Sequence, residues 1–190
     1  MNTLSYPAVS MLALLTTPAS AFDLTAEDMA ALQRGDVLVR TVKSENGRRV
    51  EAAIEIENTT AAIWSVMTDC AAAPRFVPNL QRCEVTDSAA DGAWEIIEHE
   101  VKYSWIAPKT VYRFRADYEA ERHIRIERIS GDLRRLEGDW RLTPSADDES
   151  VIVTYSVNLE PGVPVPGFIV RRALRKDVPA VLEALREQVK

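Results

Sequence analysis

The chain has 190 residues, of which 46% are hydrophobic, 27% charged and 7% aromatic, and its formal net charge at pH 7 is -6. This is the length and apolar content of one globular domain, which excludes a disordered or collagen-like polymer, and only two cysteines exclude a disulfide-dense scaffold. An acidic balance speaks against nucleic acid as a partner, because phosphates call for a basic face. Two histidines with no HExxH, CxxC or Cys/His cluster leave no zinc pattern and point to no cofactor.

Residues 1–21 carry no charged side chain. An apolar run from Val9 to Leu15 precedes Thr16, Thr17 and Pro18, and Ala19-Ser20-Ala21 follows as an A-x-A site. This reads as a secretory signal peptide cleaved after Ala21, although the n-region lacks Lys and Arg. The run is too short to span a bilayer, which takes about 20 apolar residues. Cleavage leaves a chain starting at Phe22, and the expected location is periplasmic or secreted. In such an oxidising compartment the two cysteines, Cys70 and Cys83, are expected to form a disulfide; the alternative is two buried thiols.

A single domain is expected over 22–190, with its core at 37–190. A short helix is expected at about 25–34, with Thr25 as N-cap, Asp28 in its first turn and Gly35 at its end. Val37 to Val42 reads as a strand, Glu45-Asn46-Gly47 as a hairpin turn, and Arg49 to Glu57 as a second strand. In that second strand Val50, Ala52, Ile54 and Ile56 form a dry face, and Glu51, Glu55 and Glu57 a wet one. Asn58-Thr59-Thr60 caps a helix bearing Ile63, Trp64, Val66 and Met67, and a second short helix is expected around Ala71 to Arg75. Then strand follows strand: Cys83 to Thr86, Ala93 to Tyr103, Thr110 to Tyr118, His123 to Ile129, Arg134 to Leu142 and Ser150 to Leu159. Tight turns between them imply an antiparallel meander. After the stiff loop Pro161 to Gly167, Phe168 to Lys190 reads as a helix with an apolar stripe at Leu174, Val178, Val181, Leu182, Leu185 and Val189. Pro179 should kink it, or Asp177 should recap a second section.

The expected class is α+β: a curved antiparallel sheet wrapped around one long C-terminal helix, with two short helices after the first core strand. In that order of elements the chain resembles the START-like helix-grip (SRPBCC) superfamily, most of all its coenzyme Q-binding START-like and polyketide cyclase-dehydrase branch. The resemblance is carried by Val50 to Ile56 with Thr60 to Asp69 after it, by Pro74-Arg75-Phe76-Val77-Pro78-Asn79-Leu80 and Cys83-Glu84-Val85, and by Leu136 to Leu142 with the final helix. It implies a cavity for a hydrophobic molecule between sheet and helix.

Alternation places Tyr112, Phe114 and Tyr118 on one face of their strand, Leu136 and Trp140 on one face of another, and Val153 and Tyr155 on one face of the last. These residues are the candidate lining, together with Trp64 from the first core helix, Tyr103 and Trp105 from the segment before Pro108, and Phe168, Leu174 and Val178 from the last helix. The same face is by default an ordinary core. Candidates for catalysis are thin. His99 has the parity of Ile97, Val101, Tyr103 and Trp105, so it can face the cavity, and Glu98 and Glu100 take the other face. The arginines from Arg113 to Arg135 read as a solvated ladder with Glu95, Glu119, Glu121, Glu127 and Glu137. Arg171, Arg172, Arg175 and Lys176, with Trp105 and Ile106, would allow a transient contact with a membrane surface, although a wet helix face is the plainer reading. Three functions compete. The leading one is an exported, non-enzymatic carrier of a lipid or other hydrophobic small molecule, quinone-like in one version. The others are a polyketide cyclase or aromatase-like enzyme and a protein-interaction module.

Overall fold

The computed structural model describes residues 22–44, 47–102, 109–146, 148–163 and 173–190. The expected leader, the Glu45-Asn46 turn residues, the Tyr103–Pro108 segment and most of the loop before the last helix therefore lie outside the described residues.

Helix α1 (Ala26–Gln33) begins where the sequence places it. The Asp28 amide donates to Thr25 Oγ1 at 3.1 Å, and the Thr25 amide donates to Asp28 Oδ2 at 2.9 Å, so two end donors of the helix are satisfied reciprocally. The Thr25 amide, and then the Thr25 hydroxyl that also donates to Asp28 Oδ2 at 2.9 Å, hold the Asp28 carboxyl below its ordinary range. Strands β1 (Leu38–Ser44) and β2 (Gly47–Ile56) pair antiparallel. Helices α2 (Thr60–Met67) and α3 (Ala73–Phe76) follow, with the Thr59 hydroxyl accepting from the Ala62 amide at the start of α2. Six strands complete the sheet: β3 (Leu80–Ser88), β4 (Trp94–Val101), β5 (Thr110–Glu119), β6 (His123–Gly131), β7 (Leu133–Pro144) and β8 (Val151–Pro161).

The sheet is wholly antiparallel, in the order β1-β2-β8-β7-β6-β5-β4-β3. The chain leaves β2 near one edge, crosses through α2 and α3, enters β3 at the other edge and returns strand by strand to lie beside β2. The short helices thus bridge the hollow of a curved sheet. The last helix, α4 (Val178–Gln188), packs inside that hollow against β1, β2, α2 and α3. This is the α+β helix-grip architecture.

Two cores divide the inner face. In the first, Ile54, Ile56, Val151 and Val153 of the sheet meet Ile63 of α2 and Leu182 and Leu185 of α4, all essentially sealed from water. In the second, Ile97, Phe114, Ala116, Ile124, Leu136 and Val157 pack beside the partly buried Trp64, Met67, Tyr112, Trp140 and Tyr155. The outer face of β2 is drier than its pattern suggests. Ala53 is sealed by Leu32 of α1, and Glu51 is buried between Arg40 and Arg49. Burial there is compensated because both guanidinium groups reach the carboxylate.

Pro179 acts at the start of α4. It stands in the first turn, where a missing N–H costs nothing, and a π-helical turn, Ala173–Asp177, precedes it. The wider turn accommodates the residue that cannot donate. Asp177 sits at the N-cap but its side chain makes no capping bond.

Candidate functional site

The second core is where side chains with chemistry gather, and strand parity explains why. On β4, residues Glu95, Ile97, His99 and Val101 share the inner face, and on β5 Tyr112, Phe114, Ala116 and Tyr118 do. The register sets His99 opposite Tyr112, Ile97 opposite Phe114 and Glu95 opposite Ala116. Glu98 and Glu100 point outward, to Arg82 and Arg113 and to Lys109 respectively. These outer-face pairs involve Glu98 and Glu100, which the expected ladder did not include, and with their cations half exposed they contribute little each.

His99 Nδ1 lies 3.3 Å from the Tyr112 hydroxyl. The imidazole meets the Phe114 ring edge-on at 4.9 Å and the Tyr112 ring at 5.6 Å. Burial among these rings pushes its pKa down to about 4, so the ring is neutral at pH 7. Across the hollow, Trp140 of β7 and Tyr155 of β8 are register partners whose rings stack at 4.1 Å.

Glu95 departs from expectation. The sequence reading placed it in the outer ladder, but it turns inward and accepts the Tyr118 hydroxyl proton at 2.8 Å. Burial and the carboxylate beside it raise the Tyr118 pKa well above that of an ordinary phenol. Beside this pair a cleft of about 460 Å³ opens. Trp64 of α2 and Thr68 just after it form one wall, the Asp91-Gly92-Ala93 turn another, and Glu95, Tyr118 and Ala120 the floor. The Trp64 and Tyr118 rings meet edge-on at 5.8 Å, and both pack on the second core. Neither Glu95 nor Thr68 was a candidate. The parity of Glu95 with Ile97 and His99 was the available signal.

The candidate lining falls into four groups. Val153 is fully enclosed against α4, and Phe114 and Leu136 are buried in the second core. Trp64, Tyr112, Tyr118, Trp140 and Tyr155 remain partly buried around that core, and Val178 lies partly buried on the first. Leu174 stands in the π-helical turn. Tyr103, Trp105 and Phe168 lie outside the described residues. Cys70 and Cys83 form a disulfide that ties the segment after α2 to the edge strand β3, next to the second core. Among the described residues no group of three or more His, Cys, Asp or Glu is placed to hold a metal ion, and no helix is long and apolar enough to cross a membrane. The inner wall is thus aromatic and aliphatic with two isolated polar pairs. It can enclose an apolar body and offer it a few hydrogen bonds.

Comparison with known proteins agrees with this architecture. Residues 56–186 match the family model described as polyketide cyclase / dehydrase and lipid transport. A STAR-related lipid transfer protein from Xanthomonas axonopodis is similar, with 20% identity and a TM-score of 0.67 over 80% of this chain and 92% of that one. A START superfamily protein from Mycobacterium smegmatis has 21% identity and a TM-score of 0.63, covering 74% and 96% of the two chains. An aromatase/cyclase from a Streptomyces species has 13% identity and a TM-score of 0.62, covering 75% and 93%. No curated protein matches the chain.

Proposed function

Because this chain belongs to the polyketide cyclase / dehydrase and lipid transport family, we propose that it is a binding protein that carries a lipid or other hydrophobic small molecule between its sheet and its last helix. The observation that carries the reading is the inner wall itself. Five aromatic side chains, Trp64, Tyr112, Tyr118, Trp140 and Tyr155, lie half-buried on it, and two of them, Trp64 and Tyr118, line a cleft of about 460 Å³. Shielding is the mechanism. Removing about 200 Å² of ligand apolar surface from water contributes roughly 5 kcal/mol, enough to hold a greasy molecule without any covalent step. The name of the Xanthomonas neighbour, a lipid transfer protein, supports the same reading.

Export belongs to this proposal. The leader-like residues 1–21 would deliver the carrier to an oxidising compartment, consistent with its disulfide. A quinone-like ligand belongs to this proposal as one member of the class, a flat ring system suited to a wall that carries aromatic faces such as Trp140 and Tyr155. The test is native mass spectrometry of protein purified from its own cells, followed by extraction. A reproducible bound apolar molecule is expected. A protein that is empty when isolated, and that takes up no added lipid, overturns carriage. The cyclase-like reading is favoured by one observation, the neutral His99 beside the Tyr112 hydroxyl. It requires turnover of a poly-ketone chain that is lost in His99→Leu.

A further inference from the structure

We infer that His99 is the polar contact of this apolar site. Its Nε2 takes a hydrogen bond with an uncharged oxygen, hydroxyl or carbonyl, on an otherwise apolar ligand, and the site turns away carboxylates and phosphates. The inference rests on the carrier reading above and adds the chemistry of the ligand's polar end.

Three features support it. The first is placement. His99 stands on the inner wall between Ile97 and Val101 on its own strand, beside Phe114 and Tyr112 on β5, with Cys83 opposite it on β3. Polar groups are rare on such a wall, and this ring is half-buried, not sealed. The second is an unused atom. Nδ1 is engaged with the Tyr112 hydroxyl, and Nε2 has no hydrogen-bond partner among the described residues. Nε2 is not one of the sealed unpartnered atoms among the described residues, so it stays open to a ligand oxygen in place of water. The tautomer follows from the direction of the Tyr112 bond. A hydroxyl satisfies either tautomer, and a carbonyl satisfies the one with the proton on Nε2.

The third is charge. His99 is neutral at pH 7 because of its burial. The charged groups near this wall are already committed. Arg128, opposite Phe114 in register, donates through Nε to the Leu133 carbonyl and through Nη2 to the Gly131 carbonyl. Glu95 holds the Tyr118 hydroxyl, and Glu98 and Glu100 face outward. An anion brought to His99 would lose its water and meet no cation among the inner-face residues of β4 and β5.

Four probes on one ring system test this: naphthalene, 2-naphthol, 2-acetylnaphthalene and 2-naphthoate, titrated calorimetrically into the wild-type protein and His99→Leu. In the wild type, 2-naphthol or 2-acetylnaphthalene should bind at least about tenfold more tightly than naphthalene, and 2-naphthoate more weakly than either. In His99→Leu the oxygenated probes should lose that advantage while naphthalene affinity stays within about threefold. An advantage that survives the substitution overturns the inference and leaves carriage standing. Failure of naphthalene itself to bind the wild type overturns the carrier reading and the inference with it. Should the variant not fold, the wild type decides. The chain has only two histidines, so with 15N-labelled histidine the Nε2 signal of His99 can be followed. It should move with 2-naphthol and not with naphthalene, and an unmoved signal overturns the inference.

Discussion

At the scale of single residues, His99 links the wall's chemistry to its stability. Its folded-state pKa, about 4, is below the 6.5 of an exposed imidazole. Between those values the unfolded chain binds a proton that the native chain refuses, so stability falls as pH drops through this window and the loss is complete below about pH 4. The shift corresponds to about 3 kcal/mol. Urea unfolding of the wild type and His99→Leu between pH 7 and 4 should show a shallower decline in the variant. Parallel declines would mean that His99 is solvated in the native state. The inward direction of His99 was legible from alternation with Ile97 and Val101. The same rule applied to Glu95, but a carboxylate defaults to the wet face, and only the Tyr118 hydroxyl in place at 2.8 Å makes its inward turn affordable.

At the scale of elements, local chemistry accounts for most boundaries. Thr25 with Asp28 and the Thr59 hydroxyl start α1 and α2. Strand β3 runs from Leu80 to Ser88, longer at both ends than the Cys83–Thr86 expected, because its pairing with β4 tolerates two register shifts in a sequence without clean alternation. The Cys70–Cys83 bridge closes a loop with a sequence separation of 13 and pins the α2–α3 crossing to that edge strand. Replacing both cysteines by serine should cost about 3 kcal/mol and lower the Tm by roughly 6–12 °C. A thermal melt of the oxidised protein against the double variant checks this, and coincident melts would show that the crossing is held by packing alone. Gly131, with φ +101°, is the turn residue that strand pairing requires. A Cβ there would stand 2.4 Å from the Val111 carbonyl oxygen, so strands β5 and β6 approach too closely for any side chain.

For the molecule as a whole, the topology decides where a ligand can go. The β2-to-β3 crossing brings α2 and α3 over the hollow, and α4 fills the part of it nearest β2. At that end Leu182, Leu185 and Val153 are sealed together, and the described cleft lies elsewhere, at Trp64, Glu95 and Tyr118. The proposed export is also tested on the whole chain. Expressed in full in a bacterium with an intact secretory pathway, the protein should appear in the periplasm with Phe22 as its first residue. N-terminal sequencing of cytoplasmic protein that still begins at Met1 would refute the leader.

The amino-acid sequence by itself determined the order of strands and helices, the inner and outer faces of most strand positions, the starts of the first two helices and the two cysteines available to pair. These follow from periodicity and from contacts only a few residues apart, which a linear text records. Only the tertiary structure decided which inner residues are sealed and which stay half-open. Val153 and Tyr155 share one face of β8, yet Val153 lies under α4 and Tyr155 stacks on Trp140 at the margin. Closure depends on the distance between surfaces far apart in the chain, and neither spacing nor composition encodes that distance.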